Sequence, residues 1–142
     1  MYFDLASLSP ADLATTQDQA IKFVERQATP ADQIAVMIYS SRLNVLTDFT
    51  NDHDKLVEVL RGITPGQIAA TDDASARFQG ILAAAATLGN LPQKKAVIYF
   101  SSGVPVRNAD TQVAMSAAVD ALMRANVSLY PVDARGLVAP PR

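Results

Sequence analysis

The chain has 142 residues, of which 49% are hydrophobic and 18% are charged, and its formal net charge is −2. This composition indicates one globular domain with a sizeable core and excludes an intrinsically disordered chain. The charge excludes the basic footprint of a nucleic-acid-binding surface, and the absence of cysteine excludes disulfides and thiolate metal sites. No apolar run is as long as a membrane span, and the first residues lack the pattern of a signal peptide.

Nine helices and strands are predicted from caps, breakers and apolar periodicity. In chain order they are a strand end at 2–4, a helix at about 9–27, strands at 34–39 and 43–49, helices at about 51–62 and 74–88, a strand within 94–103, a helix at about 111–125 and a strand at 127–132. The two strands at 34–39 and 43–49 are joined by a short polar segment, which predicts a β-hairpin.

Local signals set several of these boundaries. Ser9 followed by Pro10 is typical of a helix N-terminus, because the hydroxyl can cap the free amides and proline suits the first helical position. Asn51 or Asp52 can cap the next helix in the same way. Asn126 is suited to the left-handed position that follows a helix.

The strand within 94–103 is the centre of the predicted architecture. Its apolar run ends in Ser101, Ser102 and Gly103, a pattern typical of a strand that is buried on both faces of a parallel sheet. With the alternation of strands and helices, this predicts an α/β fold with a doubly wound, mostly parallel sheet, helices on both faces and one antiparallel edge hairpin. Ligands of such sheets lie beyond the carboxyl ends of the strands, where Ser101 and Ser102 are expected.

Three stretches of the sequence resemble the von Willebrand factor A (VWA) domain. They are Phe3-Asp4-Leu5 followed by Ser7, the stretch from Ala96 to Gly103, and Tyr130-Pro131-Val132-Asp133-Ala134-Arg135-Gly136-Leu137. Together with the helix–hairpin–helix order, they are similar to the VWFA-related branch that is common in Acidobacteria. The resemblance covers nearly the whole chain and implies an extracytoplasmic setting, secreted or periplasmic.

The resemblance also predicts the extent of the domain. A complete member would begin its first strand several residues earlier, in the middle of the sheet, and would carry a further helix and strand after residues 133–136. We therefore expect residues 1–136 to form a single, abbreviated domain and residues 137–142 to form a tail. Exposed sheet in such a domain is expected to allow association.

The hallmark of the family is a metal-ion-dependent adhesion site, built from an Asp-x-Ser-x-Ser run, a threonine and a second aspartate, because Mg²⁺ prefers hard oxygen ligands in octahedral geometry. Asp4 matches the first aspartate, but Ala6 and Leu8 stand at the two serine positions. Thr71 matches the threonine, and Ser102 stands at the second aspartate position. The resemblance therefore implies a degenerate site. Asp4 and Thr71 are its candidate ligands for Mg²⁺, but a site without a cofactor is favoured.

Other classes of function lack their motifs. The sequence contains no Gly-x-Gly-x-x-Gly fingerprint, phosphate loop or Gly-x-Ser-x-Gly elbow, and His53, the only histidine, offers no catalytic triad or metal pair. One alternative is a receiver-like signalling domain with Asp4 as phospho-acceptor, although receivers lack a hairpin at this place and carry a lysine at a late strand end. Another is a structural fragment of a larger secreted protein.

We therefore predict a non-enzymatic, adhesion-type module that binds a protein partner through loops at the carboxyl edge of the sheet, without a nucleic acid or a membrane span. The residues expected at this edge are Asp4, Ser7, Thr71, Asp72, Ser101 and Ser102. The simpler alternative for Asp4 is that its side chain only accepts hydrogen bonds from loop amides.

Overall fold

The computed structural model describes residues 1–5, 7–40, 43–64, 74–91, 95–101 and 109–133. The elements in chain order are β1 (Tyr2–Asp4), α1 (Pro10–Arg26), β2 (Ile34–Tyr39), β3 (Leu43–Thr50), α2 (His53–Arg61), α3 (Ala74–Leu88), β4 (Lys95–Ser101), α4 (Ala109–Arg124) and β5 (Val127–Asp133). All nine predicted elements are present. The bounds of β2 and α3 agree with the prediction, whereas α4 begins two residues earlier than predicted. The predicted extent of the domain, 1–136, stays a prediction because residues 134–142 lie outside the described part.

The five strands form one sheet in the order β3-β2-β1-β4-β5. β1 lies in the middle and is parallel to β2 and β4, β4 is parallel to β5, and β3 is antiparallel to β2. The predicted mostly parallel sheet with one antiparallel edge is confirmed. Because four strands run in one direction, their carboxyl ends share one edge of the sheet, which we call the carboxyl edge.

Three of the predicted boundary signals are confirmed by their geometry. Ser9 caps α1, since its side chain accepts a hydrogen bond from the amide of Asp12 over 3.2 Å. Asp52 caps α2 by accepting from the amide of Lys55 over 3.2 Å, which settles the choice left open by the sequence. Asn126 follows α4 with a φ of 59°, in the left-handed region that ends many helices.

The face of the sheet that packs against α1 and α2 is an apolar core. At its centre the rings of Phe3 and Phe100 are stacked, with centroids 4.6 Å apart and planes inclined by 13°. The other buried members of this cluster are Leu5, Leu8, Leu13, Ala20, Val24, Val36, Leu56, Leu60 and Ile63. We call this surface the α1/α2 face.

Gln17 joins the two helices of that face. Its amide nitrogen Nε2 donates to the carbonyl oxygens of Leu60 and Ile63, each over 2.8 Å. Carbonyls at the end of a helix lack intrahelical partners, so a side chain that binds them stabilises the end of α2 against α1.

The opposite face packs against α3 and α4, and it differs because three tyrosines lie in its core. Tyr2, Tyr39 and Tyr99 are all buried, and the rings of Tyr2 and Tyr99 lie 5.2 Å apart. Above them, Gly80 lets α3 approach closely: a Cβ at this position would collide with the Tyr2 hydroxyl and lie 2.7 Å from Cδ2 of Tyr39. We call this surface the α3/α4 face.

The two edge strands expose large apolar side chains. On β3 these are Val45, Leu46 and Phe49, and on β5 the exposed ring is Tyr130. The edge position of β5 fits the proline at 131, since a proline cannot donate to a further strand. The pairing of β3 with β2 contains two register shifts, a feature that bends edge strands.

Among the helices that the structure describes, none has the length and apolar character needed to cross a membrane.

Candidate functional site

The carboxyl edge is built around the turn that follows β1. The amide of Leu5 donates to the Tyr39 carbonyl over 2.8 Å, which ties the end of β1 to the end of β2. The amides of Ser7 and Leu8 then donate to the Asp4 carbonyl over 3.1 Å and 3.2 Å, and the Ser7 hydroxyl donates to the same oxygen over 3.1 Å. The chain therefore turns tightly around the backbone of Asp4 before α1 begins.

The side chain of Asp4 lies inside the protein. Its exposed fraction is 0%, and its Oδ2 accepts a hydrogen bond of 2.7 Å from the hydroxyl of Tyr99. Side chains alternate along a strand, so Phe3 lies on the α1/α2 face and Asp4 lies with Tyr2 on the α3/α4 face. The carboxylate therefore belongs to the tyrosine cluster.

Two more of the predicted residues meet Asp4 at this edge. Ser101 ends β4 one position beyond the Phe3–Phe100 pair, as Asp4 ends β1, and it is buried. Ser7 is half-buried in the turn after β1. The structure therefore brings Asp4, Ser7 and Ser101 to the same edge of the sheet.

Three predicted residues, Thr71, Asp72 and Ser102, lie outside the described part of the chain. Their placement at the carboxyl edge, and the proposal that Thr71 is a metal ligand, stay predictions.

The described residues allow a test of whether a divalent cation fits this site. No group of three or more His, Cys, Asp or Glu side chains suited to a metal lies among residues 1–5, 7–40, 43–64, 74–91, 95–101 and 109–133. Leu8, at a serine position of the family pattern, is buried in the core of the α1/α2 face. Mg²⁺ requires several oxygen ligands and keeps several waters. The described residues, with Asp4 enclosed, do not fit such an ion.

His53 is the single histidine of the sequence. It is half-buried at the start of α2, and its Nε2 atom is enclosed without a hydrogen-bond partner in the part of the chain that is described.

Sequence reasoning missed Tyr99, which it treated only as part of a buried strand. The available signal was the alternation of side chains along the two central strands, β1 and β4. Tyr2 lies opposite Tyr99 in the parallel register, and Asp4 lies two residues further on the same side of β1. Once β1 and β4 are placed side by side, a tyrosine hydroxyl within reach of the Asp4 carboxylate can be expected.

Solved structures of low sequence identity share the fold. An aerotolerance-related membrane protein from Bacteroides fragilis NCTC 9343, with multiple mutations to serines, has a TM-score of 0.62 at 15% identity, over 92% of this chain and 63% of that one. The conserved hypothetical protein BatB from Bacteroides thetaiotaomicron has a TM-score of 0.63 at 16% identity, over 92% of this chain and 62% of that one. The chain thus spans less than two thirds of either neighbour.

A third similar structure is proximal thread matrix protein 1 from the mussel byssus, whose metal-ion-dependent adhesion motif is occupied by zinc. Its TM-score is 0.56 at 14% identity, over 92% of this chain and 36% of that one. At these identities the three likenesses show the fold alone.

No curated protein sequence matches the chain. A sequence profile of the von Willebrand factor type A domain matches residues 3–104, which is well over half of the chain. The match includes Phe3 and Asp4 of β1, the hairpin and β4, and it confirms the resemblance to the VWA domain, whereas the likeness to the branch common in Acidobacteria stays a prediction. The chain therefore belongs to the von Willebrand factor type A domain family.

Proposed function

We propose that this VWA domain is a non-enzymatic module that binds a protein partner through its carboxyl edge. Domains of this family are generally protein-interaction modules. The observation that carries the proposal is the tight turn after β1, which places Asp4 and Ser7 at the edge where parallel sheets bind ligands, next to the strand that ends at Ser101. The adhesion site there is degenerate, with alanine and leucine at its two serine positions.

The proposed setting is extracytoplasmic. Two of the similar structures support it: one is described as an aerotolerance-related membrane protein, and the other as a matrix protein of the mussel byssus. Both are longer than this chain, so the partner of either protein is not transferred to it.

The receiver-like alternative receives no support from the geometry of Asp4. A phospho-acceptor must be reached by the phosphate donor, whereas Asp4 is 0% exposed and its carboxylate is bound to Tyr99.

Association through exposed sheet stays a prediction, and the described feature that supports it is the exposed side chains of Val45, Leu46 and Phe49 on β3.

The proposal is tested by placing an arginine either at the carboxyl ends or at the amino ends of the parallel strands. Ser7→Arg and Ser40→Arg lie at the carboxyl edge, where each position is half-buried beside a strand end. Gln33→Arg is the matched control, since Gln33 is exposed and precedes β2 at the opposite edge. Each variant is first melted to establish that it folds.

The measurement is capture of proteins from an extracytoplasmic extract of the source organism by the immobilised chain, followed by titration of the captured protein. We expect the two carboxyl-edge variants to bind at least about tenfold more weakly, a difference of about 1.4 kcal/mol, and Gln33→Arg to bind normally. Equal binding by all three variants, or loss in the control alone, would contradict the proposed function.

A further inference from the structure

The hydrogen bond between Tyr99 and Asp4 lies in an enclosed place at the end of the central strands. The hydroxyl donates to Oδ2 over 2.7 Å, within the usual range for a hydroxyl bound to a carboxylate. The exposed fractions of the two residues are 4% and 0%. Water therefore has no open path to this carboxylate oxygen.

Packing keeps the Tyr99 ring in place. The Tyr2 ring lies beside it with centroids 5.2 Å apart and an inclination of 37°. Gly80 brings the backbone of α3 so close to the Tyr2 hydroxyl and the Tyr39 ring that no Cβ fits between them. The buried cluster that contains Tyr99 is therefore closely covered by α3 at Tyr2 and Tyr39.

The same arrangement opposes binding of a cation at Asp4. A hydrated Mg²⁺ ion needs an accessible oxygen and room for its remaining waters, and an enclosed carboxylate offers neither. Among the described residues, Tyr99 supplies a hydroxyl donor to Oδ2 of Asp4, the kind of bond that satisfies a buried carboxylate without an ion.

We propose that Tyr99 takes the place of a divalent cation at Asp4, so that the end of β1 is organised without metal. In the family pattern the first aspartate serves an ion, whereas in this chain it accepts the hydroxyl of a buried tyrosine on the neighbouring strand. The inference deepens the proposed function, and its meaning for partner binding rests on that function.

The first test uses the unaltered protein. A tyrosine hydroxyl that is buried and bound to a carboxylate exchanges slowly with water, so its proton gives a resolved NMR resonance. We expect this resonance to be the same in EDTA, in millimolar Mg²⁺ and in Zn²⁺, and the thermal midpoint to be unchanged. A cation that binds only the folded state would have to raise that midpoint.

Three variants assign the resonance. Tyr99→Phe should remove it, and Asp4→Asn should shift it because the acceptor group changes. Tyr130→Phe is the matched control, since this tyrosine is 57% exposed on the adjacent strand β5, and it should leave the resonance unaltered. If Tyr99→Phe does not fold, the comparison of the unaltered protein in EDTA and Mg²⁺ still decides the matter.

Absence of the resonance from the unaltered protein, or its loss in Mg²⁺ together with a rise in the thermal midpoint, would overturn the inference. The NMR and melting results do not depend on whether a partner is captured. If the partner binds only when Mg²⁺ is present, the inference fails and the proposed function stands. If the hydroxyl resonance is the same with and without Mg²⁺, but Ser7→Arg and Gln33→Arg bind a partner equally, the proposed function fails and the inference about Tyr99 stands.

Discussion

The two faces of the sheet bury their side chains in different ways, although one strand of three residues supplies the centre of both. On the α1/α2 face, Phe3 of β1 stacks on Phe100 within a cluster of aliphatic side chains. On the α3/α4 face, Tyr2 and Asp4 of the same strand meet Tyr99 in a core that contains hydroxyls and a carboxylate. Alternation of side chains along β1 separates the two chemistries by a single residue.

Because of this difference, the two faces are destabilised by different kinds of substitution. An apolar face gains its stability from buried area and close packing, so it is most sensitive to the loss of volume. A face with buried polar groups must also satisfy each of them, and a helix must approach closely enough to exclude water. It is therefore sensitive to added volume and to the loss of a hydrogen-bond partner.

The largest effect is expected from Phe3→Ala on the α1/α2 face. Phe3 is 0% exposed and stacks on Phe100, so its removal leaves a cavity in the middle of the sheet. The free energy of unfolding should fall by about 3–5 kcal/mol, as measured by chemical denaturation. Such a loss is a large part of the stability of a typical small domain, and the variant is expected to be partly unfolded.

The control is Phe49→Ala on the edge strand β3. Phe49 is 38% exposed, so the same substitution removes less buried surface and leaves no enclosed cavity. We expect a loss of about 1 kcal/mol. Equal losses for Phe3 and Phe49 would contradict the view that the stacked pair is the centre of the apolar face.

Gly80→Ala is expected to have the next largest effect, and it tests the α3/α4 face. Although alanine favours helices, its Cβ would collide with the Tyr2 hydroxyl and lie 2.7 Å from Cδ2 of Tyr39. Overpacking of this kind costs about 1–3 kcal/mol. The change is measured by denaturation, and the near-ultraviolet circular dichroism of the tyrosines should change with it.

Gly62→Ala, at the end of α2, is the matched control on the other face. Among the described residues, a Cβ there meets only the carbonyl oxygens of Glu58 and Val59 at 3.5 Å, and the φ of −81° suits any residue. This variant should be neutral or slightly more stable. If Gly80→Ala were equally harmless, α3 would have to move away from the tyrosine cluster easily, and the enclosure of Asp4 would be loose.

The fold could be predicted from the sequence because its signals are local. Ser9-Pro10, Asp52 and Asn126 fix helix ends through bonds to nearby amides or through a single left-handed residue. The apolar run of β4 identifies a buried strand by itself. Each signal acts within a few residues, so the order of elements follows without knowledge of distant contacts.

The site was harder to predict because its main contact joins residues 95 positions apart. Asp4 could be singled out as the end of a strand, but its partner Tyr99 depends on the register of β1 against β4, which no local pattern specifies. The enclosed Nε2 of His53 is a similar case, since its burial depends on how α2 packs.

A pH-dependent effect on stability is expected from the amino group of Met1, at the N-terminal end of β1 where the two faces meet. In a chain whose first residue is Met1, this group donates to the Ala35 carbonyl over 2.7 Å, and burial lowers its pKa from 8.0 to about 5. Between these values the folded state keeps the amine neutral while the unfolded state binds a proton. Stability should therefore fall as the pH falls from 8 to 5, by at most about 1.4 kcal/mol per pH unit.

Acetylation of the amino group isolates this effect, because it removes the titrating group and leaves every side chain of the chain unchanged. The free energy of unfolding of the two forms is compared by denaturation at intervals between pH 5 and 8, and the slope of the free amine should be the steeper. If the free energy of unfolding changed equally with pH in the free and acetylated forms, water would reach the amine in the folded state. The start of β1 would then be open to solvent, unlike Phe3 and Asp4 further along the same strand. The enclosed part of β1, from which the two faces differ, would then start at Tyr2.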